Sequence, residues 1–596
     1  MRKRKVERDR LKKLWDEDLS SLQLKKSRRR AVVLITVICF AFSVISFRLI
    51  TLMVLDHETL SQKASKQYLR VKTIKPQRGI IWDRRLREMA VNVEADSLYA
   101  VPSEIKDAKL LSLHLAPLIK TSARSLERKI IKKQKKDFLW IARKMDEKTS
   151  IDTYKLKEEL DIKTIGFLTE TKRYYPSGQT ASHILGYTDI DNKGIEGIEL
   201  KYNENMTGEA KKVFMSKDAR GNSLSGNVEE ALPGNNIILT IDENIQHIAE
   251  REISIAMEKW QASAAIAVMM NPQTGEILAL ANSPAYDPNF PGNFKSYMKR
   301  NRAITDLFEP GSTIKSILAS AVVEEGIVSL DDEFDVSKGY IVVGRRRIRD
   351  VHRNKILTFQ DVIRKSSNVG AVQIGLKLGK DKYYEYLRKF GFGENTGIDL
   401  PGEVRGILRR PDQWSGTSLG ALSIGQEIGV TPLQMLRAYS AIANGGIIVK
   451  PYIISEIISP SGEVVQSFSR RAEGRVISVS TAETIKDILK TVVEEGGTAR
   501  RAYISGNLVA GKTGTAQMTD PETGRYSEEK FISSFVGFVP ADNPRLALIV
   551  VVYEPKGETY GGIVAAPVFK KIIEHTLTYL DIPMEKDENH LRIVRR

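Results

Sequence analysis

Residues 31–55, AVVLITVICFAFSVISFRLITLMVL, run for 25 positions with a single charge, Arg48. A surface helix of a soluble fold keeps one polar face, and this stretch has none. About 20 apolar residues in helical form cross the hydrocarbon core of a bilayer, so the run is expected to be a transmembrane helix with some tilt. Directly before it stand Lys25, Lys26, Arg28, Arg29 and Arg30. Basic flanks of a first span stay in the cytoplasm. The N-terminus is therefore expected inside, and the remainder on the outer, periplasmic face of the cytoplasmic (inner) membrane. A cleaved signal peptide has a shorter apolar run, about 7–15 residues, and a small-residue cleavage site, which is not seen after Leu55. The expectation is an uncleaved signal-anchor. Arg48 either snorkels to the outer interface or faces a membrane partner, and the sequence leaves both open.

The span also decides how the charge is read. The chain carries +17, and residues 1–30 alone hold 13 Lys/Arg against 5 Asp/Glu. A basic arm suits nucleic acid, but an arm that ends on a membrane span is its cytoplasmic flank. Nucleic acid is set aside as a partner on that ground. Cys39 is the one cysteine, so no intramolecular disulfide can form and the outer part relies on core packing.

Beyond the span the chain changes character twice. Residues 56–235 are polar and lysine-rich; 104–160 reads as largely helical, with a solvated basic run at Lys132, Lys133, Lys135 and Lys136. Turn signals at Asp191-Asn192-Lys193-Gly194 and Pro233-Gly234-Asn235-Asn236 precede the strand-like run 237–241, which puts a domain boundary near residue 235. Residues 236–582 then read as α/β. Asp242 to Lys259 is an amphipathic helix; 264–270 and 277–281 are buried strands joined by the hairpin signal Asn271-Pro272-Gln273-Thr274-Gly275. Helical periodicity recurs at 312–325, 358–378 and 431–444, and strand-like runs at 508–511, 532–539 and 545–553. The organisation expected is a tail (1–30), an anchor (31–55), a first outer domain (56–235), a second (236–582) and a charged, loose tail (583–596).

Three short elements in the second domain carry chemistry. The first is Ser312-Thr313-Ile314-Lys315, preceded by Glu309-Pro310-Gly311. Pro-Gly before an apolar helical run marks a helix start, so Ser312 falls in the first turn with Lys315 on the same face. A serine hydroxyl needs a base at neutral pH, and a lysine can act as one when burial or another cation lowers its pKa. The helix N-terminus adds N–H groups for a developing oxyanion. The second is Ser366-Ser367-Asn368, a hydroxyl to relay a proton and an amide to donate and accept. The third is Lys512-Thr513-Gly514-Thr515, where a bare glycine on an edge strand lets a substrate backbone approach and the lysine and hydroxyls suit a carboxylate. Ser-x-x-Lys also occurs at Ser103, Ser296 and Ser527, but Ser312 alone has the helix start; Lys-Thr-Gly occurs once.

In that order and spacing the set resembles the penicillin-binding protein and serine β-lactamase superfamily. Arg78-Gly79-Ile80-Ile81-Trp82-Asp83-Arg84, Gly194-Ile195-Glu196-Gly197-Ile198-Glu199 and Leu239-Thr240-Ile241-Asp242 look like landmarks of its class B penicillin-binding proteins, read here as structural. Where the family continues with Asn-Gly this chain has Arg85-Leu86-Arg87, so that turn is expected to be built differently. Near the end, Phe535-Val536-Gly537-Phe538-Val539-Pro540-Ala541, Glu554-Pro555-Lys556-Gly557, Tyr560-Gly561-Gly562 and 565–569 look most like the cell-division branch, with the elongation-specific branch next.

The resemblance implies an α/β (α+β) penicillin-binding transpeptidase fold: an antiparallel sheet flanked by helices, preceded by an elongated mixed α+β pedestal and one transmembrane helix. It implies a peptidoglycan D,D-transpeptidase in which Ser312 attacks the penultimate D-alanine of a donor stem and Lys315 is the base. Ser366 then passes a proton between Lys315 or Lys512 and the leaving group, and Asn368 orients the donor amide. The N–H groups of Ser312 and Thr515 form the oxyanion hole, and Lys512, Thr513, Gly514 and Thr515 receive the substrate's terminal carboxylate. β-Lactams mimic the donor. The implied partners are stem peptides with an amine acceptor, a membrane glycan polymerase and division-complex proteins. No metal or organic cofactor is called for. A D,D-carboxypeptidase or β-lactamase would use the same elements with water as acceptor, and a β-lactam-sensing scaffold would keep the site with slow chemistry.

Overall fold

In the computed structural model, residues 2–61, 69–74, 76–217, 223–224, 231–520 and 523–583 are described. The chain divides into two compact units. The first comprises residues 1–75 and 210–231. Its helix α1, Arg2–Ile50, runs on into a π-helical turn, Thr51–Leu55, and Lys26–Leu55 is long and apolar enough to cross a membrane. It also holds a sheet in which Lys211–Lys217 pairs antiparallel with Leu69–Ile74 and with Ser223–Leu224.

The second unit, residues 76–209 and 232–596, holds the chemistry-bearing motifs. Its main strands, in chain order, are β1 Ile81–Trp82, β2 Glu88–Ala100, β3 Leu139–Ala142, β4 Ile165–Tyr174, β5 Asn236–Leu239, β6 Ala264–Met270, β7 Ile277–Ser283, β8 Tyr340–Val343, β9 Arg346–Arg349, β10 Ile454–Ile458, β11 Val464–Ser467, β12 Ala510–Thr519, β13 Tyr526–Val539 and β14 Leu546–Tyr553. Its main helices are α2 Glu243–Lys259, α3 Lys315–Glu324, α4 Asn368–Leu378, α5 Pro432–Ala443, α6 Val479–Val493 and α7 Ala566–Tyr579.

The central sheet has the order β7-β6-β14-β13-β12, antiparallel throughout. Strands β6, β7 and β14 are buried at every residue, so both faces of the sheet are covered. That explains sequences such as AAIAVMM and LALIVVVY, in which the usual polar alternation of a half-exposed antiparallel strand is missing. Helices α2 and α7 pack together on one face, and α5, buried along its whole length, lies on the other. Asp242 caps α2 by accepting from Asn244 N, and Thr431 with Gln434 closes a capping box at α5.

A second sheet runs β11-β10-β5-β1-β2-β3, with β4 also on β2. Only β1 and β5 pair in parallel. Strands from either side of residue 235 thus share one sheet, and the main core includes Ile81, Met89, Ile184 and Ile198 together with the central sheet. The outer end of the first domain has its own small core around Leu98, Leu115, Leu126 and Ile130. Next to the start of β1 sits a buried ion cluster. Arg78 Nε (2.5 Å) and Arg173 Nε (2.6 Å) grip the two carboxylate oxygens of Glu199. Arg173 Nη1 also donates to Gly79 O at 2.8 Å. At Gly79 a Cβ would lie 1.8 Å from Asn235 O, so only glycine fits.

Several expectations shift in detail. The region 104–160 is helical at Ala108–Leu118, Ala123–Lys132 and Glu147–Glu159 but is interrupted by β3. The periodicity at 358–378 covers two helices, Phe359–Arg364 and α4, because Ser367 caps the second and Ser366 adopts φ +60°. The strand expected at 508–511 begins at Ala510 and continues to Thr519, and that expected at 532–539 begins at Tyr526. The turn at Arg85-Leu86-Arg87 has Leu86 at φ +61°, and Asp83 Oδ1 accepts from Arg85 N (2.7 Å) and Arg87 N (2.9 Å). The charged tail from residue 584 lies outside the described residues.

Candidate active site

Ser312 lies in a 3₁₀ turn, Gly311–Ile314, and the α-helix proper begins at Lys315. The sequence reading put Ser312 in the first α-helical turn. The tighter turn instead has three residues per revolution, which stacks Lys315 over Ser312 more directly than α geometry would. Gly311 has φ +55°, and a Cβ there would meet Thr515 O at 2.8 Å. Glycine is what lets the serine turn press against β12. From the other side Tyr439 on α5 donates to Thr313 O at 2.8 Å and shares a 2.7 Å hydrogen bond with Ser316 Oγ.

Lys315 is fully buried. Its Nζ donates to Ser366 O and Asn368 Oδ1, both at 2.8 Å, and stands 3.4 Å from Ser366 Oγ. The first and second motifs are therefore joined through the lysine. Burial strips water from the ammonium and pushes its pKa down to about 7, with the carboxylate of Asp350 partly opposing that. Lys512 is buried as completely, and its nearest partners are Thr513 O and Oγ1, both at 3.5 Å. Burial, and then the charge of Lys315, hold its pKa well below the usual lysine value. Two lysines brought into one water-poor place cannot both keep a proton.

Thr513 Oγ1 lies 3.0 Å from Thr498 Oγ1, and Thr515 Oγ1 accepts from Gly561 N at 3.1 Å, which leaves its own hydrogen to offer. At Gly514 a Cβ would fall 2.3 Å from Ser534 Oγ and 2.8 Å from Pro310 O. The glycine anticipated as an approach point for substrate is thus also required by the protein's own packing. β12 is the edge strand of its sheet.

Ser312, Ser366, Asn368, Thr513 and Thr515 all line one cleft of about 740 Å³. None of the other Ser-x-x-Lys serines, at 103, 296 and 527, lines it. His352, Lys365, Arg500 and Arg501 stand on its walls, and among the described residues no Asp or Glu does. The cleft suits a substrate bearing carboxylates. Sequence reasoning missed Asp350, Thr498 and Tyr439. They lie far from the motifs in sequence, and only the single acid in the basic stretch 345–353 offered a signal.

The family model for the penicillin binding protein transpeptidase domain matches residues 265–574, and that for the penicillin-binding protein dimerisation domain matches 73–239. The chain belongs to the class B penicillin-binding proteins. Among curated relatives, stage V sporulation protein D of Bacillus subtilis is 35% identical over 94% of this chain and 87% of its own length. Peptidoglycan D,D-transpeptidase FtsI of Escherichia coli is 33% identical over 93% and 92%. Among solved structures, penicillin binding protein 3 of Mycobacterium tuberculosis complexed with aztreonam superposes with a TM-score of 0.68 at 29% identity, covering 86% of this chain and 98% of that one. The class B penicillin-binding protein described here is thus FtsI-like in sequence along nearly its whole length, and its transpeptidase domain is of the serine acyl-transferase type.

Proposed function

We propose that this class B penicillin-binding protein cross-links peptidoglycan stem peptides at the division septum through an acyl-enzyme on Ser312. The observation that carries the chemistry is Lys315: a buried amine with a pKa near 7, hydrogen-bonded to the Ser366–Asn368 turn and one 3₁₀ turn from the serine. Neutral Lys315 takes the proton of Ser312 as Oγ attacks the carbonyl carbon of the penultimate D-alanine. The oxyanion draws on the N–H groups of Ser312 and Thr515, whose backbones approach at Gly311. Collapse breaks the peptide bond, and Ser366 relays the proton to the departing D-alanine. The amine of a second stem then attacks the ester, and the same groups run in reverse. Thr513 and Thr515 offer hydroxyls to the terminal carboxylate, while Lys512 closes the relay behind them. Penicillin acylates the same serine.

The septal assignment draws on the relatives named FtsI and stage V sporulation protein D. The remaining parts of the reading are a cytoplasmic tail (1–30), one inner-membrane span (31–55) with the catalytic part outside, a pedestal (56–235), a transpeptidase domain (236–582) and a terminal tail. A membrane glycan polymerase and other division proteins are its partners.

Intact mass of the full chain in detergent after incubation with penicillin tests the chemistry. One stable adduct is expected, lost in Ser312→Ala; labelling of that variant would refute the assignment. Depletion in the cell tests the role: filaments are expected, and rounding would indicate the elongation branch.

A further inference from the structure

One carboxylate touches the catalytic turn without lining the cleft. Asp350 follows the β8–β9 hairpin and is the single acid among Arg345, Arg346, Arg347, Arg349 and Arg353. Its Oδ2 accepts from Ser367 Oγ at 2.8 Å. Its Oδ1 accepts from Asn368 N and, at 3.0 Å, from Val369 N. The neighbouring Arg349 O accepts from Asn368 Nδ2 at 2.9 Å. That bond decides which end of the amide faces inward, and so presents Oδ1 to Lys315.

The turn has reason to move without these bonds. Ser366 sits at φ +60°, which costs a non-glycine residue about 1 kcal/mol or more. Its carbonyl must nonetheless point at Lys315 Nζ. The hairpin that supplies Asp350 is seated independently, through Val343 and Ile348 against Val372 of α4. It is pinned further by Arg346 Nη2 donating to Gln426 Oε1 at 2.6 Å. The negative charge also faces the exposed N–H groups that open α4.

We propose that Asp350 is a positioning residue of the acylation step, holding the Ser366–Asn368 turn in register with Lys315 from outside the three motifs. This rests on the acyl-enzyme reading above. Its electrostatic part has a definite sign. The carboxylate of Asp350 bears on Lys315 and favours its ammonium, and Lys315 in turn depresses the proton affinity of Lys512. Removing the carboxylate lets Lys315 lose its proton more easily, so the ascending limb of acylation against pH moves to lower pH.

The test is the second-order rate of penicillin acylation across pH, with full-length protein in detergent and thermal unfolding as the fold control. Asp350→Asn is expected to slow acylation roughly 10- to 100-fold through misplacement of the turn. It should also shift the ascending limb down by on the order of one pH unit. Ser367→Ala removes the Oδ2 contact and the cap on Gly370 N but keeps the carboxylate; it should slow acylation and leave the limb in place. Asp350→Glu keeps the charge on a longer arm; the rate should fall with little movement of the limb. If Asp350→Asn acylates within about twofold of wild type, or is slow with an unmoved limb, the proposal is overturned. Should Asp350→Asn fail to fold, Asp350→Glu decides by rate alone, and acylation at the wild-type rate overturns the proposal. Failure of the underlying reading looks different, because wild type itself would then form no adduct.

Discussion

Lys315 and Lys512 are both sealed from water, and Lys315 lowers the affinity of Lys512 for a proton. A lysine in water holds its proton to above pH 10 and is no base at pH 7. Here burial brings Lys315 to about 7. Acylation needs it neutral, so the rate is expected to be low at pH 5, to climb through about pH 7 and to level off above. A rate–pH profile of penicillin acylation checks this, and a limb at ordinary carboxylate values would show that Lys315 is not the base. The serine and both lysines were legible in sequence because the chemistry demands those types next to a helix start and a glycine strand. The depth of burial was not, since it is created by neighbours that the fold, and not the motifs, brings around the lysines. Asp350 was equally hidden, because its bonds to Ser367 and Asn368 span a hairpin whose docking only the fold fixes.

Among the elements, the strands on either side of residue 235 share more than the sequence suggested. The turn signal at 233–236 reads as a domain break, yet β5 pairs in parallel with β1 and antiparallel with β10. Turn chemistry is local, and pairing with a strand more than 150 residues away leaves no local mark. Such a joint needs to be stiff, and the Arg78–Glu199–Arg173 cluster lies beside it. With Glu199 fully buried, Glu199→Gln strands two buried guanidinium groups. A loss of about 3–5 kcal/mol is expected, read as a lower denaturant midpoint. A change below about 1 kcal/mol would mean that water reaches the cluster. The apolar runs of the central sheet were readable by length and composition alone. The split of 358–378 was not, because a serine cap between two helices leaves the hydrophobic spacing almost intact.

For the molecule as a whole, the apolar helix was the most legible feature, because its length and composition are read without reference to other parts of the chain. Lys26–Leu55 is helical or π-helical and exposed along nearly all its length, as a segment solvated by lipid would be. Deleting residues 1–55 is expected to move the protein from the membrane fraction to the soluble one. The acylation rate per folded molecule should stay the same within about twofold, because every motif residue lies in the second unit. A truncated chain that still sediments with membranes would point to a second attachment.

β12 ends the central sheet, and its residues Thr513, Thr515, Ala516 and Gln517 line the cleft that also holds Ser312. An open margin of this kind is a mould for main chain and is blind to side chains. It measures direction and spacing and ignores composition, so on the reading proposed above a donor stem can vary along its length and still be seated. On the reading proposed above, discrimination between stems falls to the basic walls on which Lys365, Arg500 and Arg501 stand. The molecule thereby keeps its grip and its taste in separate places, and either can drift in evolution without disturbing the other.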